Sequence, residues 1–527
     1  MRKDENMIGA ARALLHPGPI VLAGLLALGA VAFGALVAAA GAAAPDLTLG
    51  PYLRRVIAFS VAQAGLSTIL SLALGAALAL ALARRHFPGR SLVLALVGAA
   101  VVMPSIVVVF AVVAVFGRAG HLADLLALLG LPPPPRIFGW PGILVAHVFL
   151  NAALATRVFL EALARAPAEH WRLAGILGFG PAATFRHLDW PILKNEIPGL
   201  AGLVFLLCFT SFAIVLTLGG GPGRATLEVA IFQALRLELD FGRAAFLAAI
   251  QLAICLVLAL VLHRTVRRAP VGATTRLPER RPDAADRRLL ALDCLVMGIA
   301  ALLFLPILAS TLAAAAHLPR VLDADLARAA ATSLAIALAS ASLACAMALA
   351  LGAGARRARA RGGTALAFDL APTLVLAIPP FALTAGLFLL LRGRVAPFEA
   401  GLILLPLVNA LGALPFAYRL VAPALATTGE RYGRLAAMLG MSGRARLRIV
   451  DWPSLKRPLA GAFAMAAALS LGDFGIVALF GGGQLRTLPF LVYERLGAYR
   501  LDEAGAIGLL LVAGAAALAW LSLRLSR

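Results

Sequence analysis

The chain has 527 residues, 62% of them apolar and 14% charged, and a formal charge of +22. Mean hydropathy is +0.94, whereas a soluble globular domain is about half apolar, so a water-soluble fold is excluded. The three lysines, Lys3, Lys194 and Lys456, never follow a glycine, which excludes an ATP-binding loop built on Gly-Lys-Ser/Thr.

Arg2 and Lys3 precede an apolar run from Pro19 to Ala40 and the small residues Gly41-Ala42-Ala43-Ala44. The pattern imitates a secretory signal, but the run exceeds the about 7–15 residues of a signal core and reads as a first membrane helix. Spanning a bilayer takes about 20 apolar residues. Six such spans are predicted at 19–41, 58–83, 91–117, 140–163, 198–219 and 244–263. An Arg- and Pro-rich polar linker follows at 264–288. Six more spans are predicted at 289–316, 331–354, 365–391, 399–422, 457–480 and 504–523. Residues 1–263 and 289–527 thus form two units. An even number of spans in each makes them parallel repeats about an axis along the membrane normal.

With the N-terminus inside, 33 of the 47 Lys and Arg fall on the cytoplasmic side, eight of them in the linker. This is the positive-inside bias, so the charge reports topology and not a nucleic-acid partner. Both termini are then cytoplasmic. Cys208, Cys255, Cys294 and Cys345 all lie in apolar segments, and the eight histidines show no ligand spacing, so no metal or cofactor site is read in this chain.

The two units repeat in detail. Leu-Asp-Trp-Pro-Ile around Asp189-Trp190-Pro191 returns 262 residues later as Val-Asp-Trp-Pro-Ser around Asp451-Trp452-Pro453. The same shift carries Arg172-Leu173-Ala174 onto Arg434-Leu435-Ala436, Gly178 onto Gly440, and Gly219-Gly220-Gly221 onto Gly481-Gly482-Gly483. Self-similarity over half the length means one unit used twice. The segment between the fourth and fifth spans is expected to be a short helix ended by Gly178 or Gly440 in a left-handed turn. A second short helix should end near the Trp-Pro, where Pro191 or Pro453 interrupts backbone bonding and sets the angle of the next span. Trp190 and Trp452 suit the membrane–water boundary.

This spacing resembles the EAA loop of ABC importer permeases, whose pattern is Glu-Ala-Ala, three residues, Gly, nine residues, then Ile-x-Leu-Pro. Both copies keep the spacing, with Arg172 and Arg434 where the family has Glu. The resemblance implies an all-α polytopic membrane fold of two MetI-like repeats. It also implies that the loops couple the chain to two copies of an ATP-binding subunit, while a periplasmic binding protein delivers substrate. Hydrolysis would belong to the partner, so this chain is not expected to be an enzyme. A second string, Cys208–Pro222 with Thr226–Leu235, looks very like the thiamine permease branch of fused ABC importers. Ferric-iron permeases share the architecture and rank second. A secondary transporter is the rival from another class. The paired loops stand against it, as does the shortage of intramembrane acids for an ion relay.

Asp473 falls in an apolar span at the position of Ser211, where an ionised carboxylate costs about 2.5–3.5 kcal/mol on insertion scales. One reading places Ser211, Phe212, Asp473 and Phe474 along the substrate path, a lone carboxylate suiting the cationic thiazolium of thiamine. The other makes Asp473 structural, paired with Arg419 or Arg157 or capping a helix. The glycine triplets read either as part of an outer gate or as plain re-entrant turns. Asn151 and Asn409 read as hydrogen-bonding glue between helices.

Overall fold

The computed structural model describes residues 17–42, 50–265, 281–391, 393–441, 443–480 and 485–525. The described residues contain no strand, and eleven of their helices are long and apolar enough to cross a membrane. In the first half α1 is Pro17–Ala42 and α2 is Pro51–Arg84. The third span is divided into α3, Arg90–Val102, and α4, Ser105–Phe116; α5, Trp140–Ala164, is the fourth. A short helix α6, Ala168–Ile176, precedes α7, Trp190–Phe209. Two small helices follow, α8, Ala213–Leu218, and α9, Leu227–Phe232, before α10, Phe241–Thr265.

The second half repeats the order. It runs α11, Arg287–Ala313; α12, Ala324–Ala360; α13, Leu366–Ala377; α14, Pro380–Leu391; and α15, Pro397–Met438. Then come α16, Trp452–Leu471; α17, Gly475–Phe480; α18, Leu488–Gly497; and α19, Leu501–Leu525. Every predicted span is therefore occupied by helix, but the third and fifth of each half are broken inside the membrane. The third spans break at Met103-Pro104 and Ile378-Pro379. Met103 and Ile378 are extended, with ψ of 128° and 116°, as steric conflict with a following proline requires.

The fifth spans break at 210–212 and 472–474. The chain then turns back into the protein, and each returning helix docks by the same bond. The Leu227 N–H donates to Ser60 Oγ at 3.0 Å, and the Leu488 N–H to Ser333 Oγ at 2.8 Å. Both serines are buried on the second span of their own half. An N–H exposed at a helix start in hydrocarbon costs several kcal/mol, so these contacts fix the depth of each turn.

The first span of each half crosses to the other half. α1 packs on α12 and α14, and α11 packs on α2 and α4. Gly386 of α14 permits this approach: a Cβ there would lie 2.4 Å from the carbonyl oxygen of Ala32. Phe304 of α11 meets Phe149 of α5 with ring centroids 5.0 Å apart. Close packing through small residues is what joins helices in lipid, where the hydrophobic effect between them vanishes.

The charge asymmetry gives a topology test. On a background lacking the four native cysteines, Gly223→Cys should react with an impermeant maleimide added to intact cells. A cysteine placed in the linker at 264–288 should react only after lysis. The opposite pattern would invert the orientation.

Candidate coupling loops and translocation path

In the first half α6 ends in a turn where Gly178 has φ +65°, and the Phe179 N–H donates to the Ala174 carbonyl at 2.9 Å. In the second half Gly440 has φ +63°, and the Met441 N–H donates to the Ala436 carbonyl at 2.8 Å. The expected left-handed terminators are present at both positions. The helix before them differs. Pro167 starts α6 as a separate piece, whereas its counterpart under the 262-residue shift is Gly429 and α15 runs unbroken from Pro397 to Met438. The expectation of a separate short helix thus fits the first half only.

The prolines also act differently from the expectation. The residues before them, Phe185–Asp189 and Leu447–Asp451, form wide π-helical turns that continue directly into α7 and α16. Pro191 and Pro453 sit in the first turn of those helices. The chain does not stop there, because the widened turn accommodates the missing N–H. Trp190 and Trp452 are exposed beside them.

Each loop turns an apolar triplet outward. Leu173, Ile176 and Leu177 are 54, 83 and 60% exposed, and their counterparts Leu435, Met438 and Leu439 are 52, 84 and 66% exposed. Ala174 and Ala436 face inward and are buried, while Arg172 and Arg434 are exposed beside the triplets. Spacings of one, three and four residues place each triplet on one helix face. Six large apolar side chains are thus exposed in two matched sets. Ile176, Leu177, Met438 and Leu439 were not singled out from the sequence, although their apolar character at helical spacing was readable.

The aspartates of the Asp-Trp-Pro motifs are held inside. Arg281 Nη2 donates to both oxygens of Asp189 at 3.0 and 2.8 Å and to Asp283 at 3.0 Å, and its guanidinium lies 4.2 Å from the Trp171 ring centroid. Burial works against the Arg281 charge, but the carboxylates of Asp283 and Asp189 outweigh it and hold the guanidinium above its ordinary value. Asp451 is paired instead with Arg356 of α12 at 2.9 Å and Arg446 at 3.7 Å.

The two broken fifth spans meet. Phe212 stacks on Phe474, its mate under the 262-residue shift, with centroids 5.7 Å apart. Phe232 lies 5.1 Å from Phe212, and Tyr493 lies 4.8 Å from Phe474. Phe381 of α14 closes over Phe212 at 4.4 Å. This ladder of rings joins the halves.

Asp473 lies beside the ladder. Its carboxylate lies at the start of α17, facing the backbone N–H groups of Gly475, Ile476 and Val477. Arg157 pairs with Glu161 at 3.3 Å, and Arg419 is exposed. One carboxylate oxygen has no hydrogen-bond partner among the described residues. Asp473 lines a small cavity of about 10 Å³ together with the polar Ser333, Asn409, Ser470 and Thr487 and the apolar Ile336, Leu471, Val477 and Pro489. Asn409 donates to Ser470 at 3.0 Å, and Ser470 to Ser340 of α12 at 2.9 Å. Asn151 donates to Cys208 at 3.4 Å. Both asparagines thus bridge helices.

The first half carries its own buried acid. Glu228 of α9 accepts from Gln251 of α10 at 2.8 Å, and both are fully buried. The sequence reading passed over Glu228, although a charge within Thr226–Leu235 marked it. Gly220 and Gly221 take φ of +75° and +132°, and a Cβ on Gly220 would lie 3.2 Å from Phe138. Gly219, Gly220 and Gly221 thus make a tight turn against the start of α5. Gly481, Gly482 and Gly483 lie outside the described residues.

Residues 71–269 match the family described as binding-protein-dependent transport system inner membrane component. The chain is 41% identical to a thiamine transport system permease protein of Brucella melitensis, over 94% of this chain and 92% of that one. It is 40% identical to the protein of that description from Salmonella typhimurium, over 94% of each chain. A third, from Escherichia coli, is 40% identical over 88% of this chain and 87% of its own.

Gly440→Val should cost about 1–2 kcal/mol at the left-handed turn, and a thermal shift of the purified protein would measure it. There is open space around that position, so the loss should come from backbone strain alone. Gly440→Asn, which tolerates φ above zero, should recover most of the stability. Equal losses for both variants would show that the turn geometry is not what glycine supplies.

Proposed function

The chain belongs to the family of binding-protein-dependent transport permeases that includes the thiamine transport system permeases, and from that premise we propose that it is the membrane subunit of an importer for thiamine and its phosphates. It is a multi-pass inner-membrane protein. Two repeats, 1–263 and 289–527, joined by the linker 264–288, form the permease, with both termini in the cytoplasm. The observation that carries the reading is the pair of matched apolar triplets, Leu173-Ile176-Leu177 and Leu435-Met438-Leu439, presented by loops of one design. Each fits the groove of one ATP-binding subunit, so two copies dock on the cytoplasmic side. A periplasmic binding protein delivers substrate to the other side, and lipid surrounds the helices.

The geometry supports alternating access. ATP binding draws the two ATPase subunits together, and each loop transmits that movement through Asp189-Trp190-Pro191 or Asp451-Trp452-Pro453 into α7 or α16. Those helices end at Ser211-Phe212 and Asp473-Phe474, where the ring ladder closes the path. Aromatic pairs contribute about 0.5–1.5 kcal/mol each, so parting the rings needs an external source of free energy. Loaded binding protein and ATP supply it only if both favour the outward-open state. Once parted, the rings present faces to a cation, and Asp473 adds one negative charge on one side only. The glycine turn at Gly219-Gly220-Gly221 borders the outer mouth.

Uptake of labelled thiamine into proteoliposomes holding permease, ATPase and binding protein tests the assignment; uptake of ferric iron and no thiamine would overturn it. Substitution then separates charge from capping at position 473. Asp473→Asn keeps a side-chain oxygen for α17 and removes the charge, so thiamine uptake should fall about tenfold, a loss of about 1.4 kcal/mol, with melting temperature nearly unchanged. Asp473→Ala removes the cap as well and should cost a further ~1 kcal/mol of stability. Normal uptake by Asp473→Asn would confine Asp473 to capping.

A further inference from the structure

The internal repeat lets one coupling loop serve as the control for the other. In the second half the arginine that ends the second span, Arg356 in Ala-Arg-Arg, reaches its own loop and binds Asp451 at 2.9 Å. The first half has the same Ala-Arg-Arg, at Ala83-Arg84-Arg85, yet neither arginine is bonded to Asp189. Arg84 and Arg85 both bind Asp293 of α11, each at 2.7 Å, and Arg85 also donates to the Ala284 carbonyl at 2.6 Å. Asp189 is taken by Arg281, which comes from the segment joining the repeats. The plate under Arg281, Trp171, has Gly433 as its counterpart under the 262-residue shift.

We infer that Arg281, with Pro282–Ala285 at the end of the segment joining the repeats, is a positioning element for the first coupling loop, so that the two ATPase contacts are braced by different parts of the chain. This rests on the coupling reading above. Arg281, Asp189, Asp283 and Asp293 are all buried, so the charges are shielded from salt and water, and a planar fork gripping two carboxylates fixes direction as well as distance. Asp189 is the last residue before α7. Arg281 leads through Pro282–Ala285 into α11, which packs on α2 and α4. Loop, α7 and α11 are thereby one mechanical body. In the second half the loop is tied within its own repeat, to α12 and to Arg446.

The test uses the assembled importer in nanodiscs. A benzophenone maleimide is attached to a single cysteine at Ile176→Cys or Met438→Cys, on a background lacking the native cysteines, and capture of the ATPase subunit is scored beside uptake and basal ATPase activity. With no further substitution, both positions should capture it; failure at both overturns the coupling reading itself. Given capture, Arg281→Gln should lower uptake by about tenfold or more, the scale of loss expected from misplacing a transmitting group by about 1 Å. It should reduce capture at position 176 several-fold and leave position 438 within about twofold, with basal ATPase activity retained. Arg356→Gln should give the mirror pattern. Equal loss at both positions, or no loss at either, overturns the inference, because general destabilisation cannot choose between the loops. If Arg281→Gln fails to assemble, Arg281→Lys keeps the charge and loses the fork. It should show the same selectivity at about a third of the size, and its absence there counts equally against the proposal.

Discussion

A backbone that bends within hydrocarbon has no water to satisfy its polar groups, and this constraint shapes every break in the molecule. The third spans break at prolines, which bring no N–H to leave stranded. The fifth spans break where other groups step in. Thr210 Oγ1 donates to the Leu206 carbonyl at 2.8 Å, and the Asp473 carboxylate faces the N–H groups at the start of α17. Ser60 and Ser333 receive the helices that turn back. The fifth-span breaks are also where the two halves face one another, so the residues that repair the backbone stand beside the rings that join them.

The repeat is symmetric in backbone and asymmetric in charge. Ser60 and Ser333, Asn151 and Asn409, Gly178 and Gly440, and Phe212 and Phe474 occupy matched places and do matched things. Ser211 against Asp473 does not match, and neither does the Glu228–Gln251 pair, for which the second half has Pro489 at the docked-helix position. Paired structural groups hold the scaffold in register. Unmatched acidic ones give the two halves different chemistry.

Spans, repeat and loops were legible in the sequence because each rests on local pattern: apolar length, a fixed shift, glycine where φ must be positive. The fate of Pro191 and Pro453 was misread because a proline at the start of a helix and one that ends a helix look alike until the preceding turn is seen. Arg281 was counted as one basic residue among eight in a polar linker. Its partner across the fold, Asp189, is 92 residues away, and no local rule links the two. The crossing of α1 and α11 was equally hidden. A helix apolar on all sides carries no periodicity to say which face is buried or against what, and the deciding contact, Ala32 on Gly386, is set by the absence of a side chain.

That crossing has a consequence for how the molecule is made. α1 buries little of its surface even in the finished protein, and much of what it touches belongs to α12 and α14. A ribosome adding about 5–20 residues per second reaches Ala324 roughly 15–60 s after it has finished α1. During that interval α1 can pack only on α10 of its own half, with lipid where α12 and α14 will be. α11 then arrives to complete the first half, and only afterwards do α12 and α14 enclose α1. Neither half reaches its final packing before the other has begun, so the fused chain supplies at birth a pairing that two separate subunits would have to find by diffusion in the membrane.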